Sequence, residues 1–324
     1  MKIPRRRFLS LAGAGAVFPV LAKAAAPPPY PTRPIRLVVG FPPGGPNDIL
    51  AHLMGQWLTE RLRQPINVDN RTGASGNLAT EIVAHSPADG YTLLLVGPAN
   101  AINASLYDKL NFDFLHDIAP VAGITREPLV MLIHPSIPAR TVADFIVYAK
   151  AASNKIKTAS AGYGSSPHMS ALLFNILTGI DLDIVHYAGG GPALKDMIAG
   201  QAQLMFEPIS ASIAPIRAGK LRALAVTTTG RSLALPELPT MGDFVPDYEA
   251  SAVTGIGVPT NAPVEIIDRL NSEINAAFTD PTMKARLDDT GGMVLAGPPA
   301  DFGRLMAEET KKWGGVIKAA GAKL

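Results

Sequence analysis

Residues 35–48, IRLVVGFPPGGPND, pass from a strand through a glycine loop to a helix start, and that order limits what the chain can build. Residues 35–39 are apolar except for Arg36 and rich in β-branched side chains, the pattern of a strand buried in a parallel sheet. Residues 40–45 hold three glycines and two prolines. Asn47 suits an N-cap and Asp48 a first helical turn. Ile49, Leu50, Leu53, Met54, Trp57, Leu58 and Leu62 then recur at helical spacing. A helix opening there leaves its first N–H groups unpaired, which favours an anion in front of it. In open α/β sheets that place, beyond the strand's carboxyl end, is where ligands bind. A tight turn that merely needs glycine would use the same residues.

The same unit returns along the chain. Strands are predicted at 66–69, 91–96, 118–124, 128–134, 155–160, 183–187, 203–206, 221–227 and 251–258. Helices are predicted between them at 77–84, 101–107, 141–152, 168–178 and 208–218, and one after the loop at 189–192 that ends at Gly200, with Thr141 and Asp144 as a capping box and Gly179 as a stop. After an irregular segment at 228–250, Pro263 opens a helix through Phe278, and two more helices follow near 281–289 and 299–320. Strand and helix alternate throughout, so the fold class is α/β with parallel sheets. At 324 residues the chain is long for one core. The expected architecture is two lobes around a cleft, crossed near 125–130 and 250–255. Lobe 1 takes residues 25–127 and 253–324, and lobe 2 takes 128–252.

The first residues read as an address. Arg5-Arg6-Arg7-Phe8-Leu9 matches a twin-arginine signal, a modest apolar stretch follows at 11–22, and Ala22-Lys23-Ala24 is a small-residue cleavage site. Pro4 stands where that pattern prefers Ser or Thr, so the general secretory route stays open. Cleavage after Ala24 removes five of the 29 basic residues and leaves 24 against 27 acidic ones, turning net +2 into net −3. The mature chain then has no Lys/Arg cluster with interleaved aromatics, which argues against a nucleic-acid partner. There is no cysteine, which excludes disulfides, thiol catalysis and thiolate metal sites.

Catalytic signatures are weak. Gly73-Ala74-Ser75-Gly76 lacks nucleophile-elbow spacing, and no histidine pair has metalloprotease spacing. His52, His85, His116, His134 and His186 read as surface or packing residues. His168 differs because it opens a helix directly after a glycine-serine loop. Glu207 ends an apolar strand, where a carboxylate serves as well for orienting a hydrogen bond as for base chemistry. No Walker lysine and no G-x-G-x-x-G accompany the glycine loops. What remains is a set of neutral anion nests made of glycine, hydroxyl and helix N-termini. They comprise Phe41, Gly44, Gly45, Asn47 and Asp48; Gly97 and Asn100; Ser160, Gly162, Tyr163, Ser165, Ser166 and His168; and Tyr187 and Gly190, with Glu207 nearby. No arginine falls inside them. A binding cleft fits this better than an active site, the competing reading being an exported hydrolase or isomerase using Glu207 and His168.

Tyr30-Pro31-Thr32-Arg33-Pro34-Ile35, the loop 41–48, Asn70-Arg71 with Gly73 and Gly76-Asn77, Asp89-Gly90-Tyr91-Thr92-Leu93, the segments 160–168 and 219–225, and Leu238-Pro239-Thr240 together resemble one family. It is the solute-binding proteins of tripartite tricarboxylate transporters, the Bug family, and the resemblance covers residues 30–322. It implies a type II periplasmic binding protein fold, two α/β lobes that close on a small carboxylate held by loops like 41–48 and 160–168. It implies no cofactor or metal, a monomer in the periplasm, and membrane transporter subunits or a sensor kinase as partners. Pro46-Asn47 stands where the family commonly has Gly-Thr, Tyr163 adds an aromatic to the second loop, and Glu207-Pro208 replaces a usual Asp-Asn. Two lobes with a nest each suggest a dicarboxylate. An aromatic monocarboxylate packed on Phe41 and Tyr163 is the alternative.

Overall fold

The computed structural model describes residues 30–152, 156–288 and 291–324; the export signal read from residues 1–24 lies outside them. In chain order the elements are β1 (Ile35–Val39), α1 (Pro46–Leu62), β2 (Ile66–Asn70), α2 (Asn77–Ala84), β3 (Thr92–Val96), α3 (Pro98–Leu106), α4 (Phe114–Asp117) and β4 (Ile118–Ile133). Then come α5 (Val142–Ala151), β5 (Lys157–Ser160), α6 (Ser166–Thr178), β6 (Asp183–His186), α7 (Gly190–Ile198), β7 (Leu204–Pro208), α8 (Ile209–Arg217) and β8 (Arg222–Val226). The chain ends with β9 (Ser251–Pro259), α9 (Val264–Ala277), α10 (Pro281–Asp288), β10 (Met293–Val294) and α11 (Pro299–Ala320).

Two lobes share one long strand. In the first, β1 runs parallel to β2 and β3, and β9 joins antiparallel between β3 and β4. In the second, β5 runs parallel to β6 and β7, and β7 and β8 both pair antiparallel with the far end of β4. The outer strands are thus parallel, as the strand–helix alternation requires, while the strands joining the lobes are antiparallel.

The two strands expected at 118–124 and 128–134 form one 16-residue strand. In the sequence, Arg126, Glu127 and Pro128 interrupt the apolar run. The backbone stays extended because the residue before a proline is biased to the β region. Neighbours also hold it on both sides of the interruption. β9 pairs up to Pro128 against Ser251, and at Leu129 the Thr227 hydroxyl and amide take over at 2.9–3.0 Å.

β1 shows why its sequence is apolar throughout. Leu37 and Val39 face a core with Met54 and Leu58 of α1 and Leu270 and Ile274 of α9. Val38 faces the opposite core with Ala79, Ile102 and Trp313. A strand covered on both faces has no polar side to present. α11 contributes Phe302, Met306 and Trp313 to a core that also holds Phe174, Phe206 and Tyr248 of the second lobe. Among the described residues no helix is long and apolar enough to cross a membrane.

Helix starts depart from the sequence reading by up to three residues, α3 opening at Pro98 rather than at 101. α1 begins at Pro46 with Gly45 as its N-cap, so Asn47 lies inside the helix rather than capping it. Proline at the first position needs no N–H partner and has the right φ already. α6 begins at Ser166, capped by Ser165, and α9 at Val264, with Pro263 as its N-cap. The Thr141–Asp144 capping box is present, each residue's backbone N–H donating to the other's side chain at 3.0 Å.

Candidate functional site

The first glycine loop is tied down by Asp48. Its Oδ2 accepts the Gly44 N–H at 2.8 Å and its Oδ1 accepts Asn70 Nδ2 at 2.9 Å. Asn70 Nδ2 also donates to Phe41 O at 2.9 Å. Asp48 is 6% exposed, and the Gly44 N–H, working against burial and helped by Asn70 and His52, holds its carboxyl below the ordinary range. Its charge serves the loop, leaving Gly44 (φ +82°) and the first turn of α1 facing outward. Asn47 reaches toward the loop after β3, where a Cβ added to Gly97 would lie 3.5 Å from Asn47 Nδ2. Asn100 closes that loop, accepting the Gly97 N–H and donating to Thr80 Oγ1, both at 2.7 Å.

In the second lobe, Ser165 serves its own helix. Its Oγ accepts the His168 N–H at 3.3 Å and donates to Gly162 O at 2.7 Å. The Gly164 N–H donates to His168 Nδ1 at 3.0 Å, so Nδ1 carries no proton and Nε2–H is the ring's donor. Burial, with His186 adding to it, pushes the His168 pKa down to about 4. His168, Tyr163 and His186 form a ring cluster with centroids 4.6–5.1 Å apart. His186 Nδ1 bonds Ser160 Oγ at 2.8 Å, and Tyr187 donates its hydroxyl to Asp196 at 3.0 Å. The loop touches the first lobe at Gly164, where an added Cβ would lie 2.6 Å from Leu106 of α3.

Between the lobes lies a cleft of about 670 Å³. Gly44, Pro46, Asn47, Ile49 and Leu53 form its first-lobe wall, Thr125 and Thr254 lie on the crossing strands, and Glu127, Ser210 and Ala211 stand opposite. Arg286 of α10 also lines it and has no ion-pair partner among the described residues. Glu127 accepts both the Oγ and the N–H of Ser210, and burial pushes its pKa up to about 7. Glu207 is 4% exposed, and its Oε2 has no hydrogen-bond partner. Burial first, then the Glu127 charge, pushes the Glu207 pKa up to about 8. Its Oε1 lies 2.5 Å from where a Gly190 Cβ would stand, so the two last second-lobe candidates meet.

The sequence-read residues therefore fall into two neighbourhoods. Gly44 and Asn47 line the cleft, with Phe41, Gly45, Asp48, Gly97 and Asn100 building the loops behind them. Ser160, Gly162, Tyr163, Ser165, His168 and Tyr187 gather around His186; Tyr163, Ser165, Ser166 and His168 are not on the lining of the 670 Å³ cleft. His186, read as surface or packing, belongs to the ring cluster, and its signal was positional: it pairs in register with Ser160 at the ends of parallel strands. Arg286 and Glu127 carried no such signal, since neither lies in a glycine loop. Among the described residues no group of three or more His, Asp or Glu side chains is placed to hold a metal.

The family described as tripartite tricarboxylate transporter family receptor matches residues 50–322. Protein BugT of Bordetella pertussis is 34% identical over 317 residues, 97% of this chain and 96% of BugT. A solved R. palustris protein with adipate superposes at TM-score 0.83 and 36% identity, covering 91% of this chain and all of that one. MatC from Rhodopseudomonas palustris with bound malate gives TM-score 0.78 at 31% identity, covering 89% of this chain and 100% of MatC. These relatives are solute-binding receptors and not enzymes. A cleft between two α/β lobes, loops tied by their own carboxylate and hydroxyl groups, and this likeness over nearly the whole described chain lead to one assignment: the chain belongs to the tripartite tricarboxylate transporter receptors of the Bug family.

Proposed function

We propose that the chain is a periplasmic binding protein that captures a small dicarboxylate and presents it to the membrane subunits of a tripartite tricarboxylate-type transporter. Residues 1–24 are its signal, removed after Ala24. Residues 25–127 with 253–324 form one lobe and 128–252 the other, hinging near 125–130 and 250–255. The observation that carries the reading is the cleft of about 670 Å³ in front of the α1 N-terminus, with Asn47 of its first turn and the Arg286 guanidinium on the lining. A carboxylate there would have its charge met by N–H groups and a helix N-terminus, and a second would be met at the α6 start beside the neutral His168, off that lining. The adipate and malate of the two solved relatives support the ligand class.

The test is a thermal-shift series of straight-chain dicarboxylates from malonate to sebacate. At a hundredfold excess over Kd, binding stabilises the fold by about 2.7 kcal/mol, which for a chain of this size raises Tm by roughly 2 °C or more per kcal/mol. The response peaks at one chain length. Stabilisation by amines or neutral sugars, with none by any carboxylate, would refute the reading. The Tyr163 ring beside His168 and His186 favours a second reading, an aromatic monocarboxylate, and benzoate in the same series decides between them.

A further inference from the structure

The cleft is chemically lopsided. Its first-lobe wall offers donors at Asn47, and Arg286 adds a free guanidinium. The opposite side offers acceptors. Ser210 gives Glu127 both of its bonds on one oxygen, Oε1, and no other donor within the described chain reaches this carboxylate. Glu207, near Glu127 but off the cleft lining, receives no hydrogen bond at all, and its Oε2 is fully enclosed. Among the described residues no Arg, Lys or His lies within ion-pair distance of either carboxylate. Arg126, next to Glu127 in sequence, is turned away to Glu249 and Glu309, where Lys312 joins them. His52 and Arg286, the basic residues on the lining, pair with neither Glu127 nor Glu207.

Burying a carboxylate without donors is costly, and two together cost more. Without ligand the pair at neutral pH keeps protons that separate carboxylates would lose, consistent with the raised pKa values of both. A group that brings several N–H donors and a positive charge satisfies the same oxygens better than a proton can. An ammonium has three such donors. A single carboxylate on Asn47 or Arg286 would hold the other end of the same molecule.

We propose that Glu127 and Glu207, with Ser210 orienting the first, form an ammonium-recognising subsite, so that the preferred ligand is an amino-substituted carboxylic acid rather than a plain dicarboxylate. This rests on the carboxylate-binding reading and narrows its ligand class. Gly190 belongs to the subsite because any side chain there would displace the Glu207 carboxylate.

The experiment is calorimetric titration of the mature chain with adipate, 2-aminoadipate and 6-aminohexanoate at pH 7, each in two buffers of different ionisation enthalpy. The charged hydrogen bonds should make 2-aminoadipate bind about tenfold or more tightly than adipate. An ammonium lowers the pKa of neighbouring carboxyls, so its binding releases protons, whereas adipate takes them up. In the Glu127→Gln, Glu207→Gln double variant the preference falls to about one and the proton release disappears. Adipate binding as tightly as 2-aminoadipate, or no proton release with the amino acid, overturns the subsite and leaves the carboxylate reading intact. Binding by none of the three overturns both. The wild-type comparison stands even where the double variant does not fold.

Discussion

His168 Nδ1 accepts the backbone N–H of Gly164 at 3.0 Å, and this bond can be made only by an unprotonated nitrogen. Protonation of the ring would turn Nδ1 into a donor facing a donor and release the loop that Gly164 carries against Leu106. The folded pKa, about 4, lies below the ordinary value of 6.5, so the unfolded chain binds the proton first. Stability is therefore full above pH 6.5 and falls as pH drops toward 4. His168→Gln, which cannot titrate, should flatten this part of the Tm–pH curve; an unchanged slope would place the acid sensitivity elsewhere.

Glu207 has the opposite sign. Its folded pKa, about 8, lies above the ordinary 4.5, so the unfolded chain ionises first as pH rises. Its contribution is full below pH 4.5 and lost as pH climbs through 8. Glu207→Gln keeps the shape of the protonated acid and removes the ionisation. Near pH 8 it should stabilise the ligand-free chain by on the order of 1–2 kcal/mol, with the gain shrinking toward pH 5. A melt at the two pH values checks it, and equal effects at both would show that burial of the charge is not the cause.

Gly255 of β9 leaves no room for a side chain. A Cβ there would stand 2.2 Å from Phe302 Cζ and 2.5 Å from Ala122 O, and the second atom is backbone and has nowhere to go. Gly255→Ala should cost about 1–3 kcal/mol or more through overpacking, read as a Tm lower by several degrees. Gly315, on the exposed side of α11, meets nothing within 4 Å. Gly315→Ala should instead stabilise by about 0.5–1 kcal/mol through helix propensity. The pair of melts separates space from backbone freedom.

Most element positions were legible because glycine and proline mark them. Gly179 stops α6 with φ +68°, and Thr141 with Asp144 opens α5. These are local signals, set by a few neighbouring backbone groups. What escaped depends on partners far away in the sequence. The unbroken β4 is held across Pro128 by Ser251 and Thr227, and β10 exists because Met293 and Val294 find Arg126 and Thr125. The glycine loops were readable as candidate sites, but which of their polar groups face outward was not. Ser165, Asn100 and Asp48 all turn their side chains back into their own loops, and Arg286 enters the cleft from a helix whose sequence offers no site motif.

Asp48 allows the loop reading to be tested against direct ligand contact. Its carboxylate joins Gly44 N–H to Asn70 Nδ2, and Asn70 in turn holds Phe41 O, so two points of the first glycine loop depend on two side chains. Removing either partner leaves the other's polar atoms unsatisfied, and Asp48→Ala or Asn70→Ala should each destabilise the chain by about 1–3 kcal/mol. In a double-mutant cycle the two should couple by about 0.5–3 kcal/mol, because both changes break the same junction. The dicarboxylate series adds a second readout whose sign differs between the two roles. Were the Asp48 charge to face the ligand, it would repel a carboxylate, and Asp48→Ala would tighten binding. As the tie that keeps Gly44 and the α1 first turn in place, its loss should weaken binding, and Asn70→Ala, which removes no charge, should weaken it in the same direction. Tighter dicarboxylate binding by Asp48→Ala alone would show that the carboxylate turns into the cleft when the ligand arrives.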